Sequence, residues 1–266
     1  YFKIAYILLY NFAPLYNLNK YRESMKTLII IPSRMSAKRL PGKPLLEING
    51  LSIISHVFKR AEKSNIGEVI VAAEDQEIID DVKRNGGNAI LTSKNHKTGT
   101  DRIYEAFKLL KRNDIDYIMN VQGDEPDIDI NDIKTLDMKM KSNQSKIGTL
   151  AANISSQDIY ENENVVKVKI YEPFNKNSFP YAQDFMRVTK DKTNVLHHIG
   201  IYCYEVNALE KFISFDQSKN ELQNKLEQLR ALDNNININV ALANKSPIGV
   251  DSKEDYLAIK KIMQYK

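Results

Sequence analysis

The chain has 266 residues, enough for one sizeable α/β core or two small domains. Its 27% charged and 42% hydrophobic residues are ordinary for a globular protein. Lys and Arg number 38 against 34 Asp and Glu, and the resulting net charge of +4 is too small and too dispersed to argue for nucleic acid. The single cysteine, Cys203, excludes an intrachain disulfide and a thiolate metal cluster and fits a reducing cytoplasm.

Residues 1–24 read differently from the remainder. Ile4, Ile7, Leu8, Leu9 and Phe12 fall among several tyrosines. The apolar stretch runs for only about ten residues, too short to span a bilayer. No small-residue cleavage site follows it, and Met25 stands directly before a strand-like run. Residues 1–24 are therefore read as an N-terminal extension outside the fold.

From Met25 onward, strand and helix patterns alternate. Leu28 to Ile31 is a continuous apolar run ended by Pro32, as expected of a strand buried on both faces. Ser52–Lys63 follows with Ile53, Ile54, Val57 and Phe58 at helical spacing. Glu68–Ala73 reads as a second strand, Gln76–Arg84 as a second helix ended near Gly86-Gly87, and Asn88–Leu91 as a short third strand. A helix is predicted over Asp101–Lys111 and a buried strand over Tyr117–Val121, closed by Gln122, Gly123 and Asp124. This β-α repetition predicts an α/β fold: a three-layer, mainly parallel sheet with helices on both faces.

Beyond residue 145 the pattern changes. Val165–Tyr171 alternates as a half-solvated strand, and His197–Tyr204 reads as another strand. Leu222, Leu226 and Leu229 suggest one helical stripe, and a last helix begins near Asp251 with Asp251 or Ser252 as its cap. There is no internal repeat, and the polar span 213–224 is too short to separate domains. Residues 25–266 are thus read as one domain with an inserted or appended β-rich portion.

Four unusual polar segments each follow a predicted strand: Pro32–Pro44, Ala73–Asp75, Thr92–Arg102 and Gln122–Pro126. Ligands of open parallel sheets sit beyond the carboxyl ends of the strands, so these segments should converge on one site. Gly42, Gly99 and Gly123 lie in them, where a ligand could approach the backbone closely. Pro32–Pro44 carries Arg34, Lys38, Arg39 and Lys43 on a proline-stiffened loop suited to a triphosphate, yet it lacks Walker A spacing. A solvated basic loop is the equal alternative on this evidence. Asp124 closes a buried strand, where a bare carboxylate needs a partner such as Mg²⁺. Asp251 is a candidate second carboxylate, although spacing alone favours a helix cap. His198 shares a strand face with Gly200 and Tyr202, opposite Ile199, Ile201 and Cys203. Solvent exposure is the commoner outcome for such a histidine, as it is for Glu227 and Gln228 beside the leucine stripe.

These segments together resemble the CMP-3-deoxy-manno-octulosonate synthetases. The resemblance rests on Ile30–Leu45 (I-I-P-S-R-M-S-A-K-R-L-P-G-K-P-L), Asn120–Pro126 (N-V-Q-G-D-E-P), His197–Tyr202 (H-H-I-G-I-Y), Lys225–Leu232 (K-L-E-Q-L-R-A-L) and Gly249–Asp255 (G-V-D-S-K-E-D), with a weaker match at His96–Arg102. They occur in the family's order from Met25 to the end of the chain. The resemblance implies a nucleotide-diphospho-sugar transferase-like fold, a homodimer formed through the β-rich portion, and a cytoplasmic, Mg²⁺-dependent reaction of CTP with an acidic sugar for lipopolysaccharide biosynthesis. Neither a nucleic-acid nor a membrane partner is implied.

Roles follow from the same resemblance. Arg34 and Lys43 would hold the nucleotide phosphates and act in catalysis with Asp124, while Asp124 and Asp251 would hold Mg²⁺. Ala73, Thr98, Gly99, Thr100 and Arg102 would line the nucleotide site. Gln122, His198, Glu227 and Gln228 would orient the sugar acid. The chain departs from the family at Asn177–Tyr181 (N-S-F-P-Y), where an aromatic-Ser-Arg-x-x-x-Pro segment is expected; Arg187 is the proposed substitute. Glu74 stands in place of the more usual aspartate and Thr98 in place of serine. These departures leave two alternatives: a cytidylyltransferase for another acidic sugar, such as a sialic acid or amino-octulosonate, and a non-catalytic nucleotide-binding relative.

Overall fold

A computed structural model describes residues 24–36, 39–175 and 178–264; residues 1–23 of the expected extension, Lys38 and Asn177 lie outside these. In chain order the strands and helices are β1 (Thr27–Ser33), the hairpin β2 (Glu47–Ile48) and β3 (Leu51–Ser52), α1 (Ile53–Lys63), β4 (Gly67–Ala73), α2 (Gln76–Arg84), β5 (Ala89–Leu91), α3 (Gly99–Leu110) and β6 (Tyr117–Asn120). There follow α4 (Ile130–Asn143), β7 (Ile147–Ala152), β8 (Lys167–Ile170), β9 (Ala182–Met186), β10 (Val195–Glu205), α5 (Val206–Ser214), α6 (Lys219–Asn224), α7 (Leu229–Asp233), β11 (Ile238–Leu242) and α8 (Lys253–Gln264).

The apolar run of β1 is continuous because both of its faces are covered: Leu28, Ile29, Ile30 and Ile31 are all 0% exposed. Alternate residues enter opposite cores. Leu28 and Ile30 join Ile103 and Phe107 of α3 and Phe212 of α5, whereas Ile29 and Ile31 join Val57 of α1, Ile78 of α2 and Leu136 of α4. This two-sided burial produces the expected three layers.

The main sheet has the order β11-β7-β10-β6-β1-β4-β5, with β8 paired to β10 and β9 to β8. β1 is parallel to both β4 and β6, and β4 to β5. On the other side of β6, β10 runs antiparallel to β6 and to β7, and β11 is parallel to β7. β10 therefore brings its first half to the carboxyl end of β6, since Tyr202 pairs with Asn120 and the residues before it extend past that end.

Two expectations from the sequence change. The strand at 165–171 is largely buried rather than half-solvated: Lys167 is 0% exposed, and its ammonium donates to the carbonyls of Asn162, Val165 and Arg187. The stripe Leu222/Leu226/Leu229 does not form. The chain leaves α6 at Lys225, which takes a left-handed φ of 54°, so Leu226 and Leu229 turn into the core while Leu222 stays 57% exposed.

Candidate active site

Two adjoining cavities open at the carboxyl ends of β1 and β6. The smaller, of about 640 Å³, is lined by Arg34, Lys43, Thr98, Gly99, Arg102 and Asp124. The larger, of about 820 Å³, is lined by Gln122, Arg187, His198, Tyr202, Glu227 and Gln228. Arg39, Gln122 and Asp251 belong to both walls, so the cavities meet beside them.

The loop after β1 turns at Gly42, whose φ of 70° favours a residue without Cβ, and Lys43-Pro44 then starts a 3-10 turn. That turn aims Lys43 at two carboxylates. Its Nζ lies 2.7 Å from Asp124 Oδ2 and 3.2 Å from Asp251 Oδ1. Asp251 is drawn in by backbone, because the Val250 N–H donates to the Asp124 carbonyl at 2.9 Å. It does not cap α8: the Asp255 N–H donates to Ser252 Oγ at 3.2 Å, and the Asp255 carboxylate receives the N–H groups of Ser252 and Asp251. The Asp251 carboxylate is instead shared by Lys43 and, at 2.8 Å, Arg39.

Two carboxylates that already converge on one cationic centre suit a hard divalent cation, which takes one or two carboxylates and completes its shell with phosphate and water. Among the described residues no group of three or more His, Cys, Asp or Glu side chains converges, so a metal here would take most of its ligands from phosphate and water.

Thr98 caps α3 in a reciprocal capping box with Asp101, which sets Gly99 at the first helical position facing the smaller cavity. Arg102 is buried and fully engaged, donating to Glu74, to Thr92 Oγ1 at 2.7 Å and to the Ser93 carbonyl at 3.1 Å. It ties the segment after β4 to α3, and Glu74 supplies the carboxylate for that tie. Ala73 is buried in the core; its carbonyl accepts the Thr92 N–H, and it lines neither cavity. Thr100 turns the other way, donating to Glu227 Oε2 at 3.0 Å, and so joins the nucleotide-side helix to the larger cavity. Arg34 is exposed at the lip of the smaller cavity. Gly123 lines the smaller cavity and is also constrained by packing, since a Cβ there would stand 2.8 Å from the Pro32 carbonyl oxygen.

In the larger cavity His198 is buried, contrary to the solvated alternative, and desolvation lowers its pKa to about 3. Its ring stands edge-on to Phe185 at 5.1 Å. Gln122 donates to the Gly200 carbonyl at 2.7 Å. Glu227 and Gln228 are half-buried rather than solvated, because the break after α6 turns them inward. Burial raises the Glu227 carboxyl to about 7 against the opposing effects of Thr98, Arg230 and Thr100. Arg187, the expected substitute for the arginine sought at 177–181, directly follows β9 and lines the larger cavity. Its guanidinium donates to the carbonyls of Asn224, Glu163 and Lys225.

Two lining residues escaped the sequence reading as site candidates. The Tyr202 hydroxyl is buried beside Thr149, and Glu125 Oε2 and Glu227 Oε1 are buried with no hydrogen-bond partner among the described residues. Such atoms are rare in folded proteins. Burial, then Asp124 and Asp251, push the Glu125 carboxyl up to about 8. Glu125 was accessible from its place in Q-G-D-E-P, and Tyr202 from its sharing a strand face with His198.

Comparison with known proteins agrees with this architecture. A family model described as cytidylyltransferase matches residues 28–238. A 3-deoxy-manno-octulosonate cytidylyltransferase of Afipia carboxidovorans is 41% identical over 240 residues, covering 89% of this chain and 96% of its own. The solved CMP:2-keto-3-deoxy-manno-octonic acid synthetase complexed with CTP superposes with a TM-score of 0.81 at 33% identity, covering 90% of this chain and 99% of its own. A UDP-glucose pyrophosphorylase complexed with UDP-glucose, at 13% identity and a TM-score of 0.68 over 91% of this chain and 99% of its own, shares the fold.

Proposed function

Because the chain belongs to the cytidylyltransferase family, we propose that it couples 3-deoxy-manno-octulosonate to CTP, giving the CMP-sugar and pyrophosphate for lipopolysaccharide biosynthesis. The observation that carries this reading is the Lys43–Asp124–Asp251 cluster beside the junction of the two cavities. A nucleotide in the smaller cavity and a sugar acid in the larger would meet there. The similarity to a synthetase complexed with CTP supports the nucleotide, and the relative's octulosonate name supports the acid.

In this reaction a sugar hydroxyl oxygen forms a bond to the α-phosphorus as the bond to the pyrophosphate oxygen breaks. Arg34 and Lys43 would hold the phosphates and meet the charge that grows on the leaving oxygens. Asp124 and Asp251 would hold Mg²⁺, which supplies further neutralisation of phosphate charge. Thr98, Gly99 and Arg102 would line the nucleotide wall. Gln122, His198, Glu227 and Gln228 would fix the sugar, so that alignment supplies much of the acceleration. Arg187 would serve the acid in place of the arginine absent from 177–181; an unchanged sugar-acid KM in Arg187→Ala would refute that role.

The direct test is pyrophosphate release from CTP and Mg²⁺ with 3-deoxy-manno-octulosonate, a sialic acid, an amino-octulosonate and no sugar. Release with 3-deoxy-manno-octulosonate alone is expected. Release only with another acid would move the substrate and keep the reaction; the arginine missing from 177–181 is the reason for including that arm. Silence with every acid from folded protein would leave a nucleotide-binding relative.

The working form would be a cytoplasmic homodimer, cytoplasmic because CTP is a soluble intracellular nucleotide. Support for pairing comes from apolar side chains exposed beside β11, where Leu242 is 40% exposed and Tyr181, bridged to Asn239, is 48% exposed. Sedimentation at micromolar concentration giving only monomer would remove it. Among the described residues no helix is long and apolar enough to cross a membrane.

A further inference from the structure

Across β10 and β7 the ladder slips: Ile199 pairs with Leu150 and Tyr202 with Thr149, so Gly200 and Ile201 are extra on β10. Such irregularities leave main-chain carbonyls without ladder partners, and buried carbonyls require other donors. Here side chains supply them. Gln122 donates to the Gly200 carbonyl at 2.7 Å, while Thr149 Oγ1 stands 2.7 Å from the Ile201 carbonyl and 3.2 Å from that of Ile199. Thr149 is 0% exposed, and its third neighbour is His198 Nε2 at 3.0 Å.

Proton accounting fixes the direction of that contact. A hydroxyl has a single proton, and carbonyl oxygens only accept. If the proton pointed at His198, two carbonyl oxygens would face the lone pairs of Thr149, one of them at 2.7 Å. With the proton on a carbonyl, the contact is satisfied only if His198 Nε2 carries a hydrogen and donates. Nδ1 is then the acceptor nitrogen. It has no hydrogen bond among the described residues, and the ring lines the larger cavity.

We propose that Thr149 is a positioning residue for the sugar-acid site: it holds His198 as the neutral Nε2–H tautomer, so that Nδ1 accepts a hydrogen bond from a substrate hydroxyl and disfavours a carboxylate oxygen at the same place. The kinetic part rests on the cytidylyl-transfer reading of the cavity; the tautomer does not. Burial of the imidazole, which lowers its pKa, supports a neutral ring.

The test uses the full chain with Thr149→Val, which keeps the branched shape and removes the hydroxyl, and Thr149→Ser, which keeps the hydroxyl. Nitrogen-15 spectra of the imidazoles, with the His198 signal assigned through His198→Gln, should report a protonated Nε2 in the ligand-free wild type and in Thr149→Ser. Thr149→Val should lose that fixed tautomer. Its KM for the sugar acid should rise about tenfold, the factor expected when a buried donor loses its acceptor, with the KM for CTP unchanged and kcat altered far less. Thr149→Ser should restore the sugar-acid KM. A protonated Nδ1 in the wild type, or a Thr149→Val protein with wild-type tautomer and wild-type sugar KM, overturns the proposal. Should Thr149→Val fail to fold, the wild-type and Thr149→Ser spectra still decide the tautomer. Inactivity of the wild type with every acid would overturn the reaction and leave the tautomer to stand or fall on its spectrum.

Discussion

Lys43 stands between two carboxylates whose mutual repulsion it offsets, so removing it changes more than one contact. Lys43→Ala should raise the KM for CTP more than that for the sugar acid, and a rise confined to the sugar would contradict its assignment to the phosphates. Asp124→Asn keeps the shape of the side chain but removes the charge that would anchor a divalent cation. Turnover should fall by roughly two to three orders of magnitude, as when a preorganised electrostatic group is deleted. Near-normal single-turnover rates would exclude Asp124 from the metal. Glu227 makes a different kind of prediction. Burial raises its carboxyl from 4.5 to about 7, so between these values the folded state holds the proton more often than the unfolded state. The stability it contributes is therefore complete below 4.5 and lost as pH rises through about 7. Thermal melts of the ligand-free protein between about pH 5 and about pH 8 should show a shallower fall for Glu227→Gln than for the wild type. Equal slopes would show that Glu227 does not carry the effect.

Elements hold these residues in place through a few close approaches. Gly123→Ala would drive a Cβ to 2.8 Å from the Pro32 carbonyl oxygen, a backbone atom that cannot turn aside. Urea unfolding should register a loss of about 1–3 kcal/mol, in the range of overpacked sites. Gly249→Ala, which meets nothing within 4 Å, serves as the control and should be nearly neutral. The strands β1, β4 and β6 and the helix α2 were legible because their apolar runs or helical periods are uninterrupted. β7 was not: Ile147–Ala152 reads I-G-T-L-A-A, with too few large apolar residues to signal a strand, yet all six residues are buried. Its glycine is small for a reason visible only in three dimensions, since a Cβ at Gly148 would run into the side chains of Met140 and Phe179. The basic loop and Q-G-D-E-P could be found because polar residues directly follow buried strands. Thr149 could not, because its part depends on the β10–β7 ladder, which pairs residues far apart in sequence. The Leu222 stripe failed for a local cause: Lys225 enters the left-handed region, and helical spacing does not continue through such a residue.

At the scale of the molecule, β10 joins two halves of one sheet. β6, on one side, is bonded to β1, while β7 and β11, on the other, join the ladder of β6 through β10. Both cavities depend on this junction, since Gln122 follows β6 and His198 lies on β10. Pulsed hydrogen exchange during refolding should therefore protect β7 and β11 no earlier than β10, whereas β1, β4 and β6 can gain protection independently. Protection of β7 ahead of β10 would contradict the order.

The same strand order governs how the chain behaves while it is being made. Translation delivers β6 at residues 117–120, but the partner that covers its free edge, residues 202–205, emerges much later. Until then the nascent chain presents an uncovered strand edge, the kind of surface on which chains adhere to one another. A ribosome stalled before Val195 would thus hold a chain in which that edge of β6 still lacks its partner. Slow codons in that interval would extend the time for which chaperones are needed.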